Sequence, residues 1–235
     1  MTVRPAFPPL LRGEAVARDP FAAACRRAAE GCEAGLVLHA LPPGRLEAAL
    51  VLAPEVPLGE AVVMLPLCGV AFQNALGALA PPEVAVHLDW DGAIRVNGAR
   101  CGRLRVASDA VDPAALPRWL VVGLDLALWP EDDAAPGLRP DRTSLFAEGC
   151  GEVDPVHLLE SWAHHALLWI GRWEEDGPRA VHAEWAGLAH GIGGAVARGG
   201  VAGTFAGVDE RFGMLVRDEE GAIRLVPLTT LLESP

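Results

Sequence analysis

The 235-residue chain contains no tyrosine and no lysine, and all 19 of its basic residues are arginines. The absence of lysine excludes Schiff-base chemistry, a P-loop phosphate site and any step carried by a lysine side chain. There is no G-x-S-x-G elbow and no G-x-G-x-x-G turn, so neither a hydrolase nucleophile of that type nor a dinucleotide fold of that type is expected. The five cysteines, Cys25, Cys32, Cys68, Cys101 and Cys150, are odd in number and form no C-x-x-C pair. A disulfide framework is therefore not expected, and a reducing compartment, the cytoplasm, is. The first 20 residues hold no continuous apolar segment of signal-peptide type. No run of ~18 uncharged apolar residues reads as a membrane span. The nearest, residues 61–80, contains Pro66, Gln73 and Asn74 and reads as a buried helix.

Positive charge is also scarce. Acidic residues outnumber basic ones 31 to 19, for a net charge of −12. A surface of that balance does not bind by neutralising many phosphates, so a nucleic-acid partner is not expected. Hydrophobic residues make up 51% of the chain, enough for a sizeable core, and charged residues 21%, too few for a disordered chain. Glycine (26) and proline (20) are dispersed without period, which describes a loop-rich globule of one large or two smaller domains.

Asp19-Pro20 opens a helix, because Asp caps free N–H groups and Pro suits the first turn. Phe21, Ala24, Cys25 and Ala28 fall on one face of it, and Gly31 can end it. Residues 35–40 and 48–53 are short apolar runs bounded by turn residues and read as strands. Residues 58–79 read as helical, with a break at Pro66. Residues 84–90, 94–96, 101–107 and 119–128 read as strands, the middle two joined by Asn97-Gly98, the strongest two-residue hairpin turn. A polar loop over 130–144 follows, long enough to be either a functional loop or a disordered one. Asp154-Pro155 starts a second capped helix, running to Asp176-Gly177, and a third spans 178–190. Residues 195–197, 200–208, 213–217 and 222–226 read as short strands with glycine turns, the texture of a small barrel. The chain thus divides into a mixed part, 1–190, and a β module, 191–235.

Chemistry-bearing residues are few. His157, His164 and His165 share one expected helix and His182 and His190 the next, but no pair has the i,i+3 or i,i+4 spacing of a zinc site, so no metal is expected. Cys68 lies inside an apolar helix and reads as a small hydrophobe. The Trp173-Glu174-Glu175-Asp176-Gly177 run reads as a solvated helix end. Strand alternation puts Cys101, Arg103 and Arg105 on one face and Gly102 and Leu104 on the other. Two arginines side by side on a sheet either extend into water or bind an anion.

In this order, the segments resemble the biotin/lipoate A/B protein ligase superfamily, over most of the chain. The last third carries the closest likeness. A helix ending in Asp176-Gly177 is followed by Trp185. Gly203-Thr204-Phe205-Ala206-Gly207-Val208-Asp209 and then Gly213-Met214-Leu215 are similar to the family's G-x-x-G-[VI]-D-x-x-G-x-L pattern, each gap one residue longer. Upstream, EAALVLAPEVPL resembles the strand after the family's ligand loop. Trp90, the Asn97-Gly98 turn and Gly102 fall where the family has its Trp strand, hairpin and glycine strand. The whole chain looks closest to a proteobacterial biotin-protein-ligase-like subfamily with a C-terminal domain of unknown function.

The resemblance implies an α+β fold of the class II synthetase type: a mixed, largely antiparallel sheet with helices packed on one side, and a small C-terminal SH3-like barrel. It implies ATP-dependent activation of biotin or a lipoate-like acid, and transfer of the acyl group to a lysine of a biotinyl or lipoyl carrier domain. The ligand would lie between strands 35–40 and 48–53 and the glycine strand, with Gly44 and Arg45 over the phosphate, Leu50 and Trp90 among the ligand-binding residues, and Gly102 where the ligand approaches the backbone. The sequence departs from the family at three places. The glycine-arginine loop is shortened to LPPGRLE, Asp89 replaces a basic residue before Trp90, and the position of the family's lysine is Ala99, with Arg100 one step out of register. That lysine places charge on the attacking carboxylate and the α-phosphate, and a guanidinium suits both groups. Arg103 is the first substitute, with Arg105 beside it. Arg100 is a third, pointing away unless the strand bulges. Two readings stay open: an active ligase-type transferase, and a non-catalytic protein that binds the ligand or the carrier on the same scaffold. A third is a purely structural partner subunit.

Overall fold

The computed structural model describes residues 4–130 and 140–234, so most of the polar loop expected over 130–144 lies outside the described residues. Eight strands form the main sheet: β1 (Arg12–Ala15), β2 (Leu36–Ala40), β3 (Arg45–Leu52), β4 (Val86–Leu88), β5 (Ala93–Val96), β6 (Ala99–Ser108), β7 (Leu120–Ala127) and β12 (Leu232–Glu233). Their order is β1-β2-β3-β7-β6-β5-β4, with β12 beside β6. Among the described strands of this sheet, β1 with β2 and β12 with β6 run parallel and the other pairs are antiparallel. Asn97 and Gly98 join β5 to β6 with φ of 50° and 92°, the positive pair that a tight hairpin turn requires.

The two faces of this sheet are covered unequally. On one face, α3 (Met64–Gly77) lies between the sheet and α4 (Pro155–Asp176), and α5 (Arg179–Leu188) packs beside them. Because α3 has neighbours on both sides, it is apolar nearly all round. The stretch Leu58–Gly77, which runs from the short helix before α3 to the end of α3, is long and apolar enough to cross a membrane, yet 78% of its apolar 18-residue window is buried inside the protein. The Trp162 indole N–H donates to the Cys68 carbonyl (3.1 Å), and that of Trp169 to Asn74 Oδ1 (2.7 Å), locking α4 to α3. On the opposite face, α1 (Pro20–Ala29) is the one helix among the described residues, burying Phe21, Ala24, Cys25 and Ala28 against Leu36, Leu38, Ala49, Val51 and Val121. The expectation of helices on one side is corrected accordingly: α1 holds the other face.

Local chemistry sets most boundaries. Asp19 Oδ1 accepts from the Ala22 N–H (3.0 Å) at the start of α1, and Asp154 Oδ1 from those of Val156 (2.7 Å) and His157 (3.0 Å) at the start of α4. The break expected at Pro66 falls earlier, between α2 (Leu58–Ala61) and α3. Pro66 lies in the first turn of α3, where its missing N–H forfeits no helical bond. Strand β1 has no counterpart in the sequence reading; as a short, exposed edge strand it lacks the apolar run that marks the others.

The chain ends in a second sheet of β8 (Ala195–Arg198), β9 (Val201–Val208), β10 (Met214–Arg217) and β11 (Ile223–Val226), antiparallel throughout in the order β11-β10-β9-β8. It is docked on the first through Trp90, whose indole N–H donates to the Phe212 carbonyl (2.7 Å). Phe205, Phe212, Met214, Val216, Val226 and Leu228 belong to the same continuous core as α3 and α4. The segment 191–235 also returns a strand, β12, to the main sheet.

Phe21 lies directly on Gly123: a Cβ there would stand 2.5 Å from the Phe21 ring. Gly123→Ala should therefore lower stability by about 1–3 kcal/mol in urea unfolding, and adding Phe21→Leu should return part of that loss.

Candidate functional site

The strands that carry the expected site run side by side, and their register decides which residues share a face. Glu47 is opposite Asp125, which is opposite Arg103; Ala49 is opposite Gly123, which is opposite Arg105. Helix α1 covers the second of these rows and the apolar residues beyond it. The first row, with Arg45 one step further along β3, forms a charged strip beside the N-terminus of α1.

One irregularity in β6 controls the arginines. Ile94 pairs with Gly102 but Arg95 pairs with Arg100, leaving Cys101 as an extra residue. Such a bulge reverses the alternation on one side of it. Cys101 turns into the core with Leu104 and Val106, rather than sharing a face with Arg103 and Arg105 as simple alternation predicts. Its Sγ lies 3.4 Å from the Ala127 carbonyl, and burial pushes its thiol up to about 12. On the hairpin side of the bulge, Arg100 pairs with Arg95, whose neighbours Ile94 and Val96 point into the core. Arg100, Arg103 and Arg105 therefore all face away from α3.

Their surroundings differ. Arg105 Nε donates to both carboxylate oxygens of Glu233 (3.0 and 2.9 Å), and its guanidinium lies 4.1 Å from the centre of the Phe21 ring. The bond to Glu233 raises the Arg105 pKa further. Arg100 donates to Asp89 (3.0 Å). Arg45 Nε donates to Asp125 Oδ1 (3.1 Å) and stands 4.0 Å from Glu47. Burial, followed by the charge of Asp125, raises the Glu47 pKa against the pull of Arg45. The Arg103 side chain is exposed and, among the described residues, makes neither an ion pair nor a hydrogen bond.

Asp89 is the hub at the hairpin end. It accepts from Arg95 Nε (2.7 Å) and Nη2 (3.0 Å) and from Arg100, and His190 Nδ1 lies 3.0 Å from it. Burial alone would raise its pKa; the hydrogen bonds and charge of Arg95 and Arg100 outweigh that and lower it. Asp91 joins Arg198 of β8, so the acidic pair flanking Trp90 also clamps the C-terminal sheet.

The other expected ligand residues lie elsewhere. Gly44 (φ 74°) ends the turn before β3, and its carbonyl accepts from the N–H groups of Leu128 (2.8 Å) and Trp129 (3.1 Å). Gly102 is needed because a Cβ would stand 2.5 Å from the Asp125 carbonyl oxygen, so the close approach there is the neighbouring strand. Leu50 and Trp90 are buried on the face covered by α3. Among the described residues, no three His, Cys, Asp or Glu side chains group as metal ligands. Glu47, Asp125 and Glu233 also stand on this face, and none of them was among the expected site residues. The first two carried a signal, as charges alternating with apolar residues inside strands; Glu233 carried none.

Comparison with known proteins matches residues 7–187 to the biotin/lipoate A/B protein ligase family and residues 192–234 to a domain of unknown function, DUF4444. The chain belongs to the biotin/lipoate A/B protein ligase family. It is 60% identical to a biotin protein ligase-like protein of unknown function from Silicibacter sp. TM1040, whose crystal structure superposes with a TM-score of 0.93 over 98% of this chain and 100% of that one. It is 26% identical over 220 residues to a biotin–[acetyl-CoA-carboxylase] ligase of Paracoccus denitrificans, covering 91% of this chain and 88% of the relative. The biotin protein ligase of Aquifex aeolicus in complex with biotin and ATP shares the fold, with a TM-score of 0.68 over 87% of this chain and 90% of that one at 16% identity.

Asp89→Asn should lower stability at pH 7 by about 1–3 kcal/mol, the scale of hydrogen bonds to a charged group. A carboxylate with a depressed folded pKa contributes stability above its unfolded pKa and loses it as pH falls through the folded value. The difference between the two proteins, followed by denaturant titration, should therefore close below about pH 4.

Proposed function

We propose that this protein activates biotin or a lipoate-like carboxylic acid with ATP on the charged strip of its main sheet and passes the acyl group to a lysine of a carrier domain. The observation that carries the reading is Arg103, an exposed and uncommitted guanidinium in line with Glu47 and Asp125, on the glycine strand of a ligase-family chain. Arg45 and Arg105 flank it on the same face. A planar fork of N–H donors meets both a carboxylate and a phosphate, so the donor set fits the acid and the nucleotide.

In the first step an oxygen of the acid's carboxylate bonds to the α-phosphorus of ATP, and the bond from that phosphorus to the bridging β-phosphate oxygen breaks, releasing pyrophosphate. In the second, a carrier-lysine amine bonds to the acyl carbon, AMP leaves and the amine gives up a proton. The task assigned to Arg103 is to hold carboxylate and α-phosphate together against their mutual repulsion and to meet the charge that builds up between them. Arg45, oriented by Asp125, would hold a further phosphate oxygen. Arg100 is bound by Asp89 and has the smaller part. We further read the chain as working in the cytoplasm, with a ligase-like part over 1–190 and an SH3-like module over 191–235.

Acid-dependent ATP–pyrophosphate exchange, run with biotin, lipoate and octanoate, tests this reading. Exchange is expected with one of the acids, and Arg103→Ala should reduce it by roughly 100- to 1000-fold, the loss typical of one charge-stabilising donor. Absence of exchange with all three would overturn the proposed activation step.

A further inference from the structure

The cation nearest α1 on this face, Arg105, is already bound to a carboxylate from a distant part of the chain. Glu233 lies in β12, a strand of two residues in which Leu232 is opposite Val106 and Glu233 opposite Ala107. Both oxygens of Glu233 accept from Arg105 Nε, at 3.0 and 2.9 Å, and the two side chains are only 26% and 35% exposed. A carboxylate chelated by one guanidinium, with the uncommitted Arg103 two residues along the same face, is the arrangement an acid ligand would itself take.

We propose that Glu233 is an internal carboxylate occupying Arg105, and that β12 is a strap that must swing off before an acid or phosphate ligand can engage Arg103 and Arg105 together. The proposal rests on the reading of this face as the acid- and phosphate-binding face. The strap is built to move locally. Both of its residues are half-buried, and it adds only a two-residue ladder to the sheet. Leu228, at the start of the short 3-10 helix Leu228–Leu231 that precedes it, is buried in the core and anchors the segment when β12 leaves. Arg105 itself stays placed by its stacking on Phe21. If Glu233 were merely a clip, its loss would cost stability and leave anion binding unchanged.

Titration calorimetry of the full chain with inorganic pyrophosphate, and separately with biotin, separates these cases. Glu233→Gln should bind pyrophosphate about tenfold tighter than the unaltered protein, as one competing charge-assisted bond is weakened. The Arg105→Ala, Glu233→Gln double variant should lose that gain. In the unaltered protein, pyrophosphate should speed hydrogen exchange at the amides of 232–233. Pyrophosphate affinity no tighter in Glu233→Gln, including no binding by either protein, overturns the strap, as does a gain that persists without Arg105. A gain for pyrophosphate with no binding of biotin keeps the strap and removes biotin as the acid.

Discussion

Cys101 has no partner across β5, and the charged face depends on that surplus residue. In a regular strand Arg100 and Arg103 would point to opposite faces, and Arg100 would be driven into the apolar layer beneath α3. The bulge instead sinks a thiol into the core and returns Arg100 to the side where Asp89 waits. A small apolar side chain at the surplus position is what the core will accept. A charged one there would have to be buried or would undo the register of the hairpin.

The face that results is rich in cations but close to neutral. Asp125, Glu233 and Asp89 answer Arg45, Arg105 and Arg100. In a chain of net charge −12, this arrangement holds guanidinium groups in fixed places without a broad positive field. Among the described residues Arg103 is the exception, and an anion brought to this face would find that the paired arginines offer less than their number implies.

The capped helices, the Asn97-Gly98 hairpin and the central strands were legible in the sequence, because each is dictated by neighbours a few positions away. So was the set of arginines on the glycine strand. Their phase was not, since the bulge is a property of two strands together and neither shows it alone. Trp90 and Leu50 resembled ligand residues; in the structure the first donates to the Phe212 carbonyl and the second lies under α3, contacts that no local pattern announces. Glu233 stands 128 residues from Arg105. Nothing local marks it, for a two-residue strand has no periodicity to read. Helix α1 was recognised, but the face of the sheet it takes is a matter of chain path rather than of residue pattern.

The two sheets share one apolar core, with Phe212 against Trp185 and Met214, Val216 and Val226 in the same layer as α3. The boundary near residue 190 therefore divides sequence families without dividing the folding unit. Cut there, the larger piece would present its buried tryptophans to water and the smaller would lose the support beneath its strands. A module at 191–234 can therefore be exchanged only together with the surface it rests on.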